Sequence, residues 1–388
     1  MSTIVIGAGI IGLHIAESLT ARGENVTVID GSHPGGGTTA TSFAWVNANT
    51  NTDPDYHKLK VAGMAEHREF ARRGMGRQSY FETGGIQFTD EANAGWVLEN
   101  VARLRAAGYS AEWMTADEAR NRAEISRVPE DTTHVACFGG EGYLLPDEHI
   151  LTLVDALRRR GARFVEEMVE HIEHGDGSVA VTTAGGAVHR AERIVLAAGR
   201  WTKKIAAAAG FDLPMITAVE TGSPLVGVLG NVRTQAARPE RVVHSPRLNL
   251  RPSNHGRVVV QALDLNAGVD PLDLEGSADE IRGEFQRRFH EVTGEMPREE
   301  DIDVLLGLRS LPLDGFPVVG FMDTERSVYA AVTHGGITLG PLLGRLSADE
   351  LLDRSRDPLL ESFGPERFTE SYREDLHAFT APTQIGQQ

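Results

Sequence analysis

The sequence predicts an α/β protein with two domains, and three observations support this fold. The 388-residue chain begins with an apolar strand, a glycine-rich turn, a helix and a second strand. Later apolar strands again alternate with helices, which is typical of a parallel sheet. The middle of the chain instead contains strands in series, which is typical of an antiparallel sheet. A chain of this length can also form more than one hydrophobic core.

The first strand-helix-strand segment carries a nucleotide-binding turn. Residues 4–12 contain the pattern G-x-G-x-x-G, and the second strand ends at Asp30. Gly7 permits the tight turn, Gly9 lets the backbone approach a pyrophosphate, and Gly12 lets the helix pack close to the strand. The helix N-terminus then faces the phosphates. Because the Asp30 carboxylate can bind ribose hydroxyls and would repel a 2′-phosphate, the segment predicts a dinucleotide other than NADP.

Composition limits the function classes. A formal net charge of −17 argues against a nucleic-acid or anionic-membrane surface, because phosphate binding needs a concentrated basic patch. The single cysteine, Cys137, excludes an internal disulfide and any multi-cysteine metal site, and it suits a reducing compartment. No stretch reaches the roughly eighteen apolar residues of a membrane span. We therefore predict a cytoplasmic protein with no metal site, no nucleic-acid partner and no membrane span.

The elements after the second strand alternate between strand and helix. The glycine-rich loop at 35–42 is either an ordinary loop or a donor of hydroxyl groups to a pyrophosphate or ribityl chain. A turn and strand near residue 80 indicate where a second domain begins. In order, we expect a helix at 56–73, a strand at 84–89, mainly helix at 90–125, a strand at 141–146, a helix up to 160 and a strand at 164–165.

The remaining elements complete the two domains. The pattern predicts an antiparallel meander at 169–190, a buried strand at 194–199, further strands within 219–305, a helix at 279–292, a return to the first domain at 306–320, an apolar run at 328–332 and a last helix up to 351. Small residues at the end of the 194–199 strand would let the backbone approach a ligand. The loop His334-Gly335-Gly336 precedes the last helix, so a second glycine loop meets a second helix N-terminus.

Four motifs carry a family resemblance. They are the N-terminal glycine pattern, the segment Leu196-Ala197-Ala198-Gly199-Arg200-Trp201-Thr202, the segment Gly307-Leu308-Arg309 with Asp314-Gly315-Phe316-Pro317, and His334-Gly335-Gly336. In this order they resemble the D-amino-acid oxidase family of FAD enzymes, which includes glycine oxidase, sarcosine oxidase and D-arginine dehydrogenase. The resemblance implies a Rossmann-type FAD-binding domain of residues 1–79, 143–214 and 306–388. It also implies an inserted α+β substrate-binding domain of residues 80–142 and 215–305 with an antiparallel sheet.

The resemblance implies FAD as the cofactor, held by both glycine loops. Backbone N–H groups at the start of the last helix carry partial positive charge, and beside flavin N1 they would stabilise the anionic reduced ring. The expected cofactor-binding residues are Gly7, Gly9, Ile10, Ile11, Gly12, Asp30, Thr38, Thr39, Ser42, Val169, Ala198, Gly199, Trp201, Gly335, Gly336, Ile337 and Thr338.

The resemblance also implies that Arg309 binds the substrate carboxylate, because a guanidinium group offers a bidentate fork. The alternative for Arg309 is a structural ion pair with an acidic residue. His334 is expected either to tune the proton balance of the reaction, since a histidine pKa lies near neutrality, or to make a structural hydrogen bond beside the flavin. Weaker candidates for the pocket wall are Arg251, Tyr143, Trp45, Asn47 and Asn49.

The chain also departs from the sarcosine oxidases. Those relatives have basic residues after the first glycine loop, a lysine before the last helix and a cysteine that links the flavin. Here the sequence has Ser42-Phe43-Ala44-Trp45-Val46-Asn47-Ala48-Asn49, Ile337-Thr338 and Ser310. We therefore predict non-covalent FAD and one carboxylate contact fewer.

These features predict oxidation of the C–N bond of an amino acid or related amine. Hydride transfer to flavin N5 would give an imine that hydrolyses to a keto acid, and oxygen or another acceptor would take the electrons. One alternative is oxidation of a 2-hydroxy acid on the same fold, and another is a flavin-binding protein without turnover. A nicotinamide dehydrogenase fits the first turn alone, but the later motifs at 198–199 and 334–336 favour FAD.

Overall fold

The computed structural model describes residues 2–369 except 126 and 176, together with 372 and 379. The α-helices of these residues are α1 (Ile10–Ala21), α2 (Pro54–Arg72), α3 (Glu91–Ala106), α4 (Ala116–Ala123), α5 (Pro146–Arg159), α6 (Thr202–Ala208), α7 (Leu274–Thr293) and α8 (Gly336–Asp353). The strands are β1 (Ser2–Ile6), β2 (Asn25–Asp30), β3 (Trp45–Val46), β4 (Tyr80–Phe81), β5 (Gly85–Thr89), β6 (Ala111–Trp113), β7 (His134–Phe138), β8 (Gly142–Leu144), β9 (Arg163–Glu166), β10 (Val169–Gly175), β11 (Ser178–Thr183), β12 (Val188–Ala191), β13 (Arg193–Leu196), β14 (Val226–Arg233), β15 (Val242–His244), β16 (Asn249–Pro252), β17 (Arg257–Gln261), β18 (Ile302–Leu308), β19 (Val318–Phe321) and β20 (Val328–Val332). Among the described helices, none combines the length and the apolar character that a membrane crossing requires.

A six-stranded sheet in the order β19-β20-β13-β1-β2-β9 forms the centre of the first domain. Its pairs are parallel except for the antiparallel edge strand β19. Strands β1, β13 and β20 are almost wholly buried, as expected for apolar strands covered on both faces. The predicted α/β fold with a Rossmann-type sheet is confirmed.

Helices α1 and α8 pack against each other almost backbone to backbone. A Cβ atom added at Gly344 would lie only 2.6 Å from the carbonyl oxygen of His14, and one at Gly340 would lie 2.8 Å from the His14 ring. α1 follows β1 and α8 follows β20, and both strands run in the same direction in one sheet. Because the carboxyl ends of parallel strands meet at one edge, the N-termini of the two helices meet there as well.

An eight-stranded sheet in the order β18-β14-β17-β16-β15-β5-β7-β6 forms the second core. Its pairs are antiparallel except for the pair of β15 and β5, and helix α7 packs Phe285 close to Gly230 of β14. The sheet draws strands from both segments that we predicted as the inserted domain. The predicted boundary between residues 305 and 306 falls inside β18, which pairs with β14 along its whole length. The domain limits themselves stay a prediction.

Two small sheets connect these parts. The meander expected at 169–190 is present as the antiparallel sheet β10-β11-β12. A second three-stranded sheet, β3-β8-β4, brings Trp45 opposite Tyr143. This second sheet therefore places β3, which follows the first glycine-rich loop, beside β8, which lies within the strand predicted at 141–146.

Candidate active site

A cavity of about 550 Å³ opens at the sheet edge where α1 and α8 begin. Its lining comes from both ends of the chain and from the eight-stranded sheet, so it lies where the two predicted domains meet. Most of the predicted site residues line it: Gly7, Gly9, Ile10, Ile11, Asp30, Thr38, Thr39, Ser42, Trp45, Asn47, Val169, Ala198, Gly199, Trp201, Arg309, His334, Gly335, Gly336, Ile337 and Thr338.

The first glycine turn has the geometry that the pattern requires. Gly7 has a φ of +112°, and a Cβ atom there would lie 2.3 Å from the carbonyl oxygen of Ala197. A Cβ atom at Gly12 would lie 2.0 Å from the carbonyl oxygen of Gly7. Gly12 therefore does not line the cavity but lets α1 start against the turn, which is the packing role expected of the third glycine.

The N-terminus of α1 is free to bind an anion. Its N-cap residue Gly9 provides no side-chain cap, and the Ile10 N–H donates to the Thr39 hydroxyl at 3.2 Å. On the next strand, the Asp30 carboxylate accepts hydrogen bonds from the backbone N–H groups of Ala8 and Ser32, at 2.6 and 2.9 Å. This arrangement provides partial positive charge for a phosphate and a fixed acceptor for a ribose.

A second uncapped helix N-terminus faces the same cavity. α8 begins after Gly335, which provides no side-chain cap, and the Gly335 N–H donates to the Thr333 hydroxyl at 3.0 Å. A Cβ atom at Gly335 would lie 2.7 Å from the Tyr56 hydroxyl, so only glycine lets α2 approach this loop so closely. Two helix N-termini at one elongated cavity can stabilise negative charge at two separate points.

Several polar atoms of the cavity wall have no partner within the described chain. They are Asn47 Oδ1, Thr50 Oγ1 and Asn51 Oδ1, all buried and all in the segment after the first glycine-rich loop. A buried polar atom without a hydrogen bond costs about 1–3 kcal/mol. A ligand with polar edges would satisfy these atoms, and the isoalloxazine and ribityl groups of FAD have such edges. The residues present therefore fit FAD.

Arg309 presents a charge to this cavity. Its Nη1 donates to the backbone carbonyls of Pro224, at 2.9 Å, and Val226. Among the described residues, no carboxylate lies within ion-pair distance of its guanidinium group, so the alternative of a structural ion pair has no support there. Gly227 lies directly beside it, since a Cβ atom there would be 3.3 Å from Nη2. Burial lowers the pKa of Arg309 to about 10, which still leaves the group charged at neutral pH.

His334 lines the cavity in its neutral form. Burial, followed by the nearby charges of Arg309 and Lys60, lowers the pKa of His334 to about 3. The expectation that its pKa would lie near neutrality is therefore wrong, because a proton on the imidazole would be both desolvated and repelled by two cations. His334 can still accept or donate one hydrogen bond beside a ligand.

Sequence reasoning missed a buried lysine and a buried glutamate. Lys60 of α2 lines the cavity, and burial lowers its pKa to about 8. Glu141 lies fully buried behind the wall, where it accepts hydrogen bonds from the Tyr109 hydroxyl at 2.7 Å and from Trp45 Nε1 at 2.9 Å. Burial raises the pKa of Glu141 to about 8. Lys60 had a signal in the sequence, since it lies one helical turn after Tyr56 in a predicted helix, whereas Glu141 had none.

Three predicted pocket residues do not line the cavity. Arg251 lies in β16, and its Nη1 donates to the carbonyl of Pro252 at 2.6 Å. Its guanidinium group is 6.0 Å from the centre of the Tyr143 ring, and Tyr143 stacks on Phe81 at 5.0 Å. Asn49 is buried, and its carbonyl oxygen accepts from the Asn100 amide at 3.2 Å. These side chains pack behind the wall because neighbouring strands and helix α3 already surround them.

Comparisons with known proteins agree on the family. The family profile described as FAD dependent oxidoreductase (DAO) matches residues 2–350. The chain is 25% identical to D-proline dehydrogenase of Pyrobaculum islandicum over 95% of this chain and 99% of that enzyme. It is also 27% identical to 4-methylaminobutanoate oxidase (formaldehyde-forming) of Paenarthrobacter nicotinovorans over 56% of this chain, but this match spans only 26% of that longer enzyme.

A solved structure supports the same fold. The crystal structure of glycine oxidase from Geobacillus kaustophilus superimposes with a TM-score of 0.77 at 22% identity, covering 95% of this chain and 98% of that one. A likeness at this identity shows the fold alone, but the profile match covers most of the sequence. The chain thus belongs to the DAO family of FAD-dependent oxidoreductases.

Proposed function

We propose that this protein oxidises the C–N bond of an amino acid or a related amine to an imine, which hydrolyses to a keto acid. One observation carries the proposal. The cavity that fits FAD also contains the charged Arg309 fork, which has no carboxylate partner among the described residues. A guanidinium group without a carboxylate partner in a buried pocket is suited to bind the carboxylate of an amino acid.

Different residues of the cavity would bind different parts of FAD. Gly7, Gly9 and the α1 N-terminus would hold the pyrophosphate, and Asp30 would hold the ribose. The α8 N-terminus would lie at the flavin ring, where its partial positive charge stabilises negative charge. When bound, FAD supplies the acceptor for the hydride of the substrate Cα atom.

Non-covalent binding of FAD is part of the proposal. Ser310 lines the cavity at the position where the sarcosine oxidases have their flavin-linking cysteine, and a serine cannot form the thioether. Cys137, the single cysteine, is buried in β7 and lies outside the cavity lining. Acid precipitation of the flavoprotein should therefore release the flavin into the supernatant.

The remaining pocket groups orient the substrate and exclude water. Arg309 would hold the carboxylate, so that the amine and the Cα–H bond point towards the flavin ring. His334 stays neutral beside it and adds no charge that would compete for the carboxylate. The apolar part of the lining, including Ile337 and Leu229, keeps the reacting bond away from solvent.

An anaerobic absorbance titration of the FAD-loaded protein tests the proposal. The panel contains D- and L-amino acids, N-methyl amino acids, cyclic imino acids and 2-hydroxy acids. We expect one amine class to bleach the oxidised flavin band, and air readmitted afterwards distinguishes an oxidase from a dehydrogenase. Reduction by 2-hydroxy acids alone would replace amine oxidation with hydroxy-acid oxidation. A stable flavin band that no compound bleaches would contradict the catalytic proposal.

A further inference from the structure

Lys60 is a buried cationic side chain without a hydrogen-bond or ion-pair partner among the described residues. Its side chain is only 6% exposed, and among the described residues its Nζ makes no hydrogen bond and no ion pair. Its nearest aromatic contact is Tyr56, whose ring centre lies 5.9 Å from Nζ. An ammonium group in such a place is costly, because burial removes its water and nothing replaces the lost hydrogen bonds. The cavity is the open space next to it.

Helix α2 aims Lys60 at the loop before α8. Tyr56, one turn earlier, reaches Gly335, and Gly63, one turn later, would place a Cβ atom 2.7 Å from the carbonyl oxygen of Thr338. His67, a further turn on, has its Nε2 atom 2.8 Å from the carbonyl oxygen of Ile337. Residues three or four apart lie on one helix face, so Lys60 belongs to the face that meets the predicted flavin end of the cavity.

The residue type matters because arginine keeps its proton at physiological pH, whereas a buried lysine can lose it. Only four of the 38 lysine and arginine residues are lysines: Lys58, Lys60, Lys203 and Lys204. Of these four, Lys60 alone is buried. The cavity therefore contains the one buried amine of the chain, next to an arginine that stays charged.

Among the groups that face the cavity near Lys60, Lys60 is the one whose pKa suits a proton acceptor near neutral pH. Burial raises the pKa of Tyr56, on α2, to about 12, and it lowers the pKa of Arg309, which directly follows β18, to about 10, so Arg309 stays protonated near neutral pH. The pKa of His334 is lowered to about 3, so His334 is a weak base that does not titrate near neutral pH. Glu141 faces Lys60 from behind the wall but does not line the cavity. Lys60, with a pKa of about 8, is the perturbed lining group that titrates near physiological pH.

We propose that Lys60 is the base that removes a proton from the substrate ammonium group before the Cα–H bond breaks. The inference rests on the proposed amine oxidation. A lone pair of Lys60 Nζ forms the new N–H bond, and the electrons of the broken substrate N–H bond stay on the substrate nitrogen. The hydrogen of the Cα–H bond then leaves with its electron pair to FAD, and the nitrogen lone pair forms the C=N bond. The substrate loses two electrons, FAD gains them, and Lys60 holds the proton.

The surrounding charges favour this transfer. Arg309 and His334 offer the substrate ammonium no negative partner, so its proton is easily lost. The carboxyl group of Glu141 raises the pKa of Lys60 against the effect of burial, which stabilises Lys60 once it has accepted the proton. A base whose pKa lies near the working pH is the most effective one.

The test compares variants by the rate of flavin reduction at different pH values. Lys60→Met removes the base, and Lys60→Arg keeps a positive charge that cannot accept a proton. The matched control is Lys58→Met on the same helix, where the lysine is exposed and pairs with Asp55 at 3.2 Å. In the wild type and in Lys58→Met, the rate should fall about tenfold per pH unit below pH 8. Both Lys60 variants should reduce flavin about 100-fold more slowly at pH 8, and their rate should keep rising above pH 8, because only solvent then removes the proton from the substrate ammonium group.

A second measurement does not depend on activity. With ¹⁵N-labelled lysine, the four Nζ signals can be titrated by NMR, and the Lys60 signal is the one absent from Lys60→Met. We expect it to titrate near pH 8. Titration near pH 10, or a break in the pH dependence of reduction that stays near pH 8 in Lys60→Arg, would overturn the assignment of Lys60 while amine oxidation stood. Amines that fail to reduce the wild-type flavin would overturn the proposed function, and the role of Lys60 with it.

Discussion

Arg309 shows how much of the site depends on a single side chain. Its Nη1 is fixed by two backbone carbonyls, so the guanidinium group is positioned before any ligand arrives. Such fixing lowers the entropy that a ligand must lose on binding, because the fork already has its orientation. The residue therefore anchors the strand ends, and in the proposed function it would also bind the substrate carboxylate.

Replacing Arg309 should impair substrate binding and spare the cofactor. In Arg309→Met, we expect the KM of an amino-acid substrate to rise about 10- to 100-fold, because a charged hydrogen-bonding group contributes about 1.5–3 kcal/mol. The flavin absorbance spectrum should stay that of the wild type. Steady-state kinetics and a spectrum of the same sample measure both. Arg309→Lys, which keeps the charge without the fork, should lie between the two, and an unchanged KM in Arg309→Met would remove Arg309 from the binding site.

At this scale the sequence predicts residues that act through a local pattern. The glycine turn, Asp30 and Arg309 stand in short motifs, and the structure places all of them at the cavity, with Gly12 directly behind. Lys60 and Glu141 escaped prediction because neither stands in a motif. They come close only after α2 has packed against the connection between β7 and β8. Arg251 stands in a recognisable sequence segment, but it was wrongly predicted to line the pocket. That segment does not reveal that the Arg251 guanidinium group donates to the backbone of its own strand.

Among the elements, the contact between α1 and the first glycine turn has the least free space. Gly12→Ala should destabilise the protein by up to about 2 kcal/mol. The added Cβ atom would collide with the Gly7 carbonyl oxygen, and overpacking of this kind costs about 1–3 kcal/mol, against about 1 kcal/mol gained in helix propensity. Urea unfolding of the variant measures the difference.

Gly95→Ala is the matched control. Gly95 is also a helical glycine, in α3, and a Cβ atom there would meet no other atom within 4 Å. This variant should be as stable as the wild type or more stable, by up to about 1 kcal/mol. Equal effects of the two substitutions would show that the close approach of α1 to the turn does not limit stability.

The sequence indicated which segments form helices and strands, but it did not indicate which strands pair with each other. The helices and the meander follow from periodicity and turns, and these depend on neighbours in the chain. The pairing of β18 with β14 depends on contacts between distant segments, so the predicted boundary at 306 divided a continuous strand. The sheet β3-β8-β4 is too short to leave a periodic pattern at all.

On the scale of the whole molecule, buried neutral histidines link stability to pH. His14 and His149 lie 2.8 Å apart between their Nε2 atoms, and His67 packs beside them. Burial lowers the pKa of His149 to about 3 and that of His67 to about 4, and it lowers the pKa of His14 as well. An unfolded chain would protonate each of these histidines near pH 6.5. The folded protein therefore loses stability as the pH falls from 6.5 towards 3, and gains nothing from these groups above pH 7.

The slope of stability against pH can be measured directly. Between pH 6.5 and 5, buried His149 should lower the free energy of unfolding by about 2 kcal/mol. Urea unfolding at several pH values should show this fall in the wild type and a smaller fall in His149→Gln. His171→Gln is the control, because His171 is an exposed residue of β10. A slope in His149→Gln identical to that of the wild type would mean that the buried histidine is not the source of the acid sensitivity.

The meeting of α1 and α8 also has a consequence for biosynthesis. The ribosome makes β1 before the strand β20 and the helix α8 that complete the cavity, and these follow more than three hundred residues later. A nascent chain that lacks α8 has neither the second helix N-terminus nor the glycine contacts that fix α1 in place. We therefore expect the flavin to be loaded after translation of nearly the whole described chain.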